Sequence, residues 1–364
     1  MSVRSEAVRI PRAGNFGMAS IRRSNRKLLE EMGDVIGRSR KIAIVTHTNP
    51  DPDAIAAAYG MRYLLLHHFN KRSVIVYDGV IGRAENRALV KLLRIPMRTA
   101  ARFPFYSYST YIMVDAQPGA GNNAVPATVK PAIVIDHHPL RRKSIKSTFH
   151  DLRPSAGATS TLITQYLRAA KVEVPQTVAT ALFFGIRTDT LDLSRRASSA
   201  DYRAYRYLFP LVDHRLLTRI EHPELSPSFF HAAGTAIDQA LCYGNLIFSN
   251  LGSVPVAETI PQMADYLAQL DGVHWSAVIG QVNGELRLSL RTSNTRGDAG
   301  AVLKRVVGKR GTAGGHGVAA GGRIDISNTS PQNIKGLERS LEQRMVKLLA
   351  SRKADPIPLR DLKS

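Results

Sequence analysis

The chain has a single cysteine, Cys242, in 364 residues. That excludes an internal disulfide framework and any soft metal site built from several thiolates, and it fits a reducing cytoplasm. Cys242 lies in the apolar string Ala240-Leu241-Cys242-Tyr243, the setting of a buried structural thiol rather than a nucleophile. Long hydrophobic runs are missing too. None approaches the roughly 18 residues that a membrane span needs, so no membrane segment is expected. Internal repeats and long low-complexity tracts are absent, and 44% hydrophobic with 22% charged residues is the composition of a folded soluble protein.

Acids are scarce: 29 Asp+Glu stand against 50 Lys+Arg, a formal charge of +21. Such a field attracts polyanions and speeds their encounter, so anionic partners are expected. The basic residues cluster beside motifs of interest. Arg141, Arg142, Lys143 and Lys146 follow a pair of histidines, and Lys304, Arg305, Lys309 and Arg310 precede a glycine-rich stretch. Residues 1–40 form a basic extension with nine Lys/Arg and four acids, including a helix-like run from Met18 to Ile36. Glu30, Glu31 and Asp34 argue against an organellar transit segment, and there is no secretory apolar core.

Short apolar runs at Ile42–Thr46, Ser73–Tyr77, Tyr111–Val114 and Ala132–Ile135 alternate with helical patterns near 54–67, 85–93, 158–170 and 175–184. This alternation predicts an α/β domain over 41–220 with a doubly wound, mainly parallel sheet. Pro223, Pro227 and neighbouring serines mark 221–235 as a connection. A smaller α+β domain is expected over 236–350. Trp275–Val282, Asn283-Gly284 and Glu285–Arg291 read as a hairpin with a type I′ turn. A helix near 300–307, a glycine loop, a strand near 323–327 and a helix over 334–349 complete it, and 351–364 reads as a tail.

Chemistry-bearing residues sit where these elements end. His47-Thr48-Asn49-Pro50-Asp51-Pro52-Asp53 follows the first strand, and its prolines disfavour helix for Asn49 and Asp51. Asp115 ends the strand 111–114. Asp136-His137-His138 ends Ile133-Val134-Ile135, and Asp189 lies in Gly185-Ile186-Arg187-Thr188-Asp189, with Asp192 as a competing acid. Strand C-termini are where open α/β sheets bind ligands. Carboxylates with imidazoles suit hard or borderline divalent ions, and two such ions roughly 3.5–4 Å apart support attack of water on phosphorus. Gly314, Gly315 and Gly317 let backbone N–H groups approach an anion, His316 adds a donor or stacking face, and Arg291 offers a guanidinium fork. The Ala158-Thr159-Ser160-Thr161 hydroxyls either cap a helix or hold a phosphate.

As an ordered set, these motifs resemble the DHH superfamily of phosphoesterases, and in particular its oligoribonuclease and pAp-phosphatase (nanoRNase) branch. The matching residues are His47-x-x-Pro50-Asp51-x-Asp53-Ala54, Asp115, Asp136-His137-His138 and Gly185-Ile186-x-Thr188-Asp189. Gly314-Gly315-His316-Gly317-x-Ala319-Ala320-Gly321-Gly322 resembles the substrate loop of the DHH-associated domain. Pro52 and Asp192 depart from that branch's usual residues, and neither removes a ligand.

The resemblance implies two divalent ions, Mn²⁺ first and Mg²⁺ as the alternative. His47, Asp51 and Asp115 would hold one, and Asp53, Asp115, His137 and Asp189 the other. His138 would contact the scissile phosphate, and Asp136 would orient a histidine. Arg291, Gly314, Gly315, His316 and Ser160 are the expected substrate contacts. The implied activity is hydrolysis of very short oligoribonucleotides such as pApA, and also of pAp. Polyphosphate or pyrophosphate hydrolysis and a non-catalytic nucleotide sensor or RNA binder are the alternatives. A cytoplasmic homodimer is the expected setting.

Overall fold

The computed structural model describes residues 24–37, 39–141, 147–294, 297–350 and 355–362. Residues 1–23 and the basic residues Arg142, Lys143 and Lys146 lie outside these, as does the His316 side chain. Of the expected N-terminal helix, the described part is α1 (Asn25–Ile36), capped by the Ser24 side chain. α1 packs Leu28, Leu29, Met32 and Ile36 into the first core.

Six strands form the first sheet: β1 (Ile42–Val45), β2 (Ser73–Tyr77), β3 (Met97–Thr99), β4 (Thr110–Val114), β5 (Ile133–Asp136) and β6 (Phe149–Leu152). They run in the order β3-β2-β1-β4-β5-β6, and every pairing is parallel. The central strands β1, β4 and β5 are buried throughout, which is why they read as unbroken apolar runs. The order reverses between β1 and β4, so their C-terminal ends flank the crevice where such sheets bind ligands.

One face is covered by α1, α2 (Pro52–His67), α3 (Ala84–Leu92), α4 (Thr159–Ala169) and α5 (Gln176–Thr190). The other carries a loop-rich layer in which Phe103 and Phe105 pack on the strand residues Val45, Val76 and Tyr111. Small residues let the helices close over the strand ends. A Cβ on Gly60 would stand 2.8 Å from Ile163 Cγ2, and one on Gly185 would stand 2.5 Å from Ser160 Oγ and 3.1 Å from Asp53 Cα. α6 (Ser199–Leu208) and α7 (His214–Glu221) complete this unit.

The stretch expected as a connection is mostly helical. Ser226 caps α8 (Pro227–Asp238), and Ala233 and Ala236 bury against the second sheet. That sheet contains β7 (Leu241–Tyr243), β8 (Leu246–Ser253), β9 (Trp275–Val282), β10 (Glu285–Thr292), β11 (Thr312–His316), β12 (Ala319–Asp325) and β13 (Ile357–Pro358) in the order β11-β12-β10-β9-β8-β7-β13. Asn283 (φ 49°) and Gly284 (φ 75°) make the expected left-handed turn between β9 and β10.

Two expectations change here. The glycine-rich stretch is an antiparallel hairpin, β11–β12, rather than a loop. Part of the expected tail, β13, adds an edge strand to β7. α10 (Ala299–Val307) and α11 (Pro331–Leu349) cover one face of the sheet, over Leu286, Leu288 and Leu290. α9 (Thr259–Leu267) packs with α8 on the other. Cys242 is buried in β7, and burial raises its thiol pKa.

Candidate metal centre and cleft

Each expected metal ligand is delivered by the end of a secondary-structure element. His47 follows β1, and the loop after it turns through Asn49 in the left-handed region (φ 56°), pinned where Asn49 Oδ1 accepts from Val80 N at 2.8 Å. Asp51 caps α2 by accepting from Ala54 N at 3.0 Å, so the helix cap in this motif is Asp51. Asp53, one residue into α2, is fully buried and reaches across to α4. Its two oxygens accept from Thr159 N at 2.6 Å and Ser160 N at 2.8 Å. Asp115 ends β4 with a left-handed backbone (φ 55°), a conformation that Asp tolerates better than most residues. His137 and His138 follow β5, and Asp189 lies in the last turn of α5.

These groups converge. His47 Nε2 is 3.7 Å from Asp51 Oδ1 and 3.5 Å from Asp115 Oδ2. His137 Nε2 is 3.6 Å from Asp115 Oδ1 and 3.1 Å from Asp189 Oδ2. Three overlapping groups result among the described residues, His47–Asp51–Asp115, Asp53–His137–Asp189 and Asp115–Asp136–His137–His138, with Asp115 between His47 and His137.

The donor set fits divalent cations on two observations. First, His47 Nδ1 faces the Thr48 carbonyl at 2.9 Å and His137 Nδ1 faces the Ala156 carbonyl at 3.2 Å. A carbonyl only accepts, so both rings carry a proton on Nδ1 and turn Nε2 toward the carboxylates, where its lone pair would bind a cation once its own proton leaves. Buried His137 Nε2 has no well-directed hydrogen bond there.

Second, the carboxylates crowd one another, and protons stand where cations would. Burial, then the charges of Asp115 and Asp189, push the Asp53 carboxyl well up. Asp189 rises with burial and the charges of Asp51 and Asp115. Burial opposes charge on His137, but the surrounding carboxylates outweigh it and push the ring up to about 11. Asp115 is held well below the usual carboxylate range: burial works against the anion, and the three histidines overcome it.

His138 stands at the rim, 40% exposed. Asp136 Oδ1 accepts from its Nδ1 at 2.8 Å and from its backbone N–H at 3.0 Å. Gln117 holds the other Asp136 oxygen at 2.7 Å, and also donates to the His138 and Pro139 carbonyls at 3.3 and 3.2 Å. Gln117 was not singled out in the sequence, and Thr159, expected there to cap a helix or hold a phosphate, instead donates its hydroxyl to Asp115 Oδ1 at 2.8 Å. Their partners are 19 and 44 positions away, so no local pattern reveals them. Asp192 is not in this cluster; it pairs with Arg187.

Between the two sheets lies a trough of about 480 Å³ lined by Asn49, Glu258, Arg287, Ser289 and Arg291, by Thr312–Gly315 and by Ala319–Arg323. Arg291, Gly314 and Gly315, expected as substrate contacts, line this one cavity. Ser160 does not: it is fully buried behind Asp53 and supports that carboxylate through its N–H, so direct substrate contact is corrected.

Comparisons with known proteins agree with this layout. The DHH family N-terminal domain matches residues 41–186, ending just before Asp189, and the DHHA1 domain matches residues 244–347. The uncharacterized protein MJ1633 of Methanocaldococcus jannaschii is 31% identical over 308 residues, 84% of this chain and 62% of that protein. This chain thus spans less than two thirds of that relative's length. The bifunctional oligoribonuclease and PAP phosphatase NrnA of Mycoplasma genitalium is 24% identical over 81% of this chain and 92% of its own length. A probable manganese-dependent inorganic pyrophosphatase of Streptococcus equi subsp. equi is 24% identical over 48% of this chain and 57% of its own.

The crystal structure of an exopolyphosphatase-related protein from Bacteroides fragilis shares the fold, with a TM-score of 0.68 and 17% identity over 89% of this chain and 98% of that one. No helix among the described residues is long and apolar enough to cross a membrane. Residues 41–186 thus form a DHH family N-terminal domain, followed by a DHHA1 domain over residues 244–347.

Proposed function

We propose that the chain is a two-metal phosphodiesterase that hydrolyses very short oligoribonucleotides to mononucleotides and also dephosphorylates pAp. The observation that carries this reading is Asn49. It sits in the loop between ligands His47 and Asp51, and it lines the same trough as Arg291, Gly314 and Gly315. A phosphate at the cluster and a nucleotide gripped by the second domain then belong to one ligand.

His47, Asp51 and Asp115 would hold one ion, and Asp53, Asp115, His137 and Asp189 the other, with Mn²⁺ preferred. Two such ions supply an ionised water near neutral pH and neutralise charge on the transferring phosphoryl group. The protein's part is positional. Asp53 is fixed by the α4 amides and Asp115 by Thr159. His138, held by Asp136 and raised in pKa by it despite burial, would present its Nε2 edge to a phosphoryl oxygen.

The NrnA relative, aligned over most of both chains, supports the oligoribonuclease reading. The pyrophosphatase relative aligns over 48% of this chain, and pyrophosphate itself has no use for the trough walls contributed by the second domain.

The test is hydrolysis of pApA, a 24-mer RNA, pAp and polyphosphate side by side, each with Mn²⁺ and with EDTA. The expected result is chelator-sensitive cleavage of pApA and pAp with little attack on the 24-mer or polyphosphate. Turnover of polyphosphate alone would overturn the reading. Nucleotide binding without turnover would make the protein a sensor.

A further inference from the structure

We infer that the trough carries a second phosphate clamp, Arg287 with Arg323, at the end far from Arg291, so that it measures out a substrate longer than a dinucleotide. This rests on the oligonucleotide reading above and goes beyond it by assigning length.

Strand register defines the floor. Residues paired directly across neighbouring strands share a face, and so do alternate residues along a strand. Arg291, Ser289 and Arg287 therefore stand on one face of β10, opposite the core-facing Leu286, Leu288 and Leu290. Ala319 pairs with Arg291, Gly321 with Ser289 and Arg323 with Arg287; on β11, Gly314 pairs with Gly321 and Thr312 with Arg323. The floor thus has three rows. Its end rows carry arginine, and the middle row is Gly314–Gly321–Ser289.

Packing does not demand the two middle glycines. A Cβ on Gly314 would meet nothing within 4 Å, and one on Gly321 only Leu288 O at 4.0 Å; neither has a positive φ. Gly315, by contrast, has φ +149°, and a Cβ there would meet Ala319 O at 2.4 Å. What Gly314 and Gly321 contribute is open space over the floor.

Each end has the same construction, two guanidiniums around one carboxylate. Asp265 of α9 bridges Arg291 to Arg83 of the catalytic domain, the latter at 2.6 Å. Glu285 takes Arg287 Nε at 2.7 Å and stands 3.6 Å from Arg323. Both triads keep a net positive charge, and the carboxylates fix the guanidiniums in place, Glu285 through Arg287 Nε and Nη2 and Asp265 through Arg291 Nε. Arg291 lies four residue steps along β10 from Arg287, about 14 Å at the usual antiparallel rise. A mononucleotide does not reach both clamps, whereas a short extended strand does. Lys309 and Arg310, exposed just before β11, continue the basic edge beyond the far clamp.

The experiment compares kcat/KM for pApA and p(A)3 in wild type, in the Arg287→Ala/Arg323→Ala double variant, and in Gly321→Val, which fills the floor without touching charge. The arginines lie at the surface, with the Arg323 side chain 61% exposed, so the fold tolerates their loss. Wild type is expected to favour p(A)3. The double variant should lower the p(A)3-to-pApA ratio at least tenfold through KM, with a shallower salt dependence for p(A)3. Gly321→Val should lower the ratio in the same direction. An unchanged ratio in an enzyme active on both substrates would overturn the far clamp and leave the proposed function standing. Hydrolysis of neither by wild type would overturn both.

Discussion

Thr159 donates its hydroxyl to Asp115 Oδ1 at 2.8 Å, tying the first residue of α4 to the carboxylate that stands between His47 and His137. Both groups are buried, so the bond is the orienting contact for a carboxylate that two ions would share. Thr159→Val keeps the shape and removes the donor. Partners of this kind typically account for about 10–100-fold in metal affinity or activity. The variant should therefore bind Mn²⁺ about that much more weakly, measured by isothermal titration, while folding normally.

Gly185→Ala tests how closely α5 must approach. The added methyl would stand 2.5 Å from Ser160 Oγ, 3.1 Å from Asp53 Cα and 3.2 Å from Ala56 Cβ. Overpacking of this kind costs about 1–3 kcal/mol, which predicts a Tm lower by several degrees. Because Asp53 is one of the displaced neighbours, Mn²⁺-dependent activity should fall further than stability alone explains.

Asp201 is the structural counterpart of the metal-site acids. It is fully buried and accepts from Gly157 N at 2.9 Å, Ser198 N at 2.7 Å, Ser198 Oγ at 2.6 Å and Thr161 Oγ1 at 2.6 Å. Asp201→Ala strands these donors, and each stranded buried group costs about 1–3 kcal/mol. The expected result is a large loss of denaturant midpoint. Unchanged stability would contradict the network.

Metal loading should strengthen with pH. Without metal, His137 is held up to about 11, so its ring carries a proton at neutral pH, and burial with neighbouring carboxylates shifts Asp53 and Asp189 upward. A cation must expel that proton, because ligands bind deprotonated. Raising the pH from about 6 to 8 weakens that competition, so the apparent Mn²⁺ Kd should fall, up to about tenfold per unit for each proton released. A flat profile in calorimetric titrations would contradict it.

Much of this was legible because the first sheet is parallel and buried. Apolar runs that stop at His47, Asp115 and Asp136 mark strand C-termini, and the acids after them had to gather at one edge. The hairpin at Asn283-Gly284 was legible for a similarly local reason. What escaped was short or non-local. β3 and β6 are edge strands of three and four residues. β11 consists largely of small residues with low strand propensity, and only its pairing with β12 makes it a strand. α8 carried a readable start, Ser226 before Pro227, yet its prolines and serines resemble those of a connection. Gln117, Thr159 and the pairing of Arg287 with Arg323 depend on contacts that the fold alone creates.

The binuclear centre is tested most directly by Mn²⁺ stoichiometry and magnetic coupling, measured by equilibrium dialysis and electron paramagnetic resonance on wild type and Asp115→Ala. Two ions per chain with a coupled Mn–Mn signal, both lost together with pApA hydrolysis in Asp115→Ala, is the expected result. One uncoupled ion in wild type, or wild-type turnover in Asp115→Ala, would contradict it.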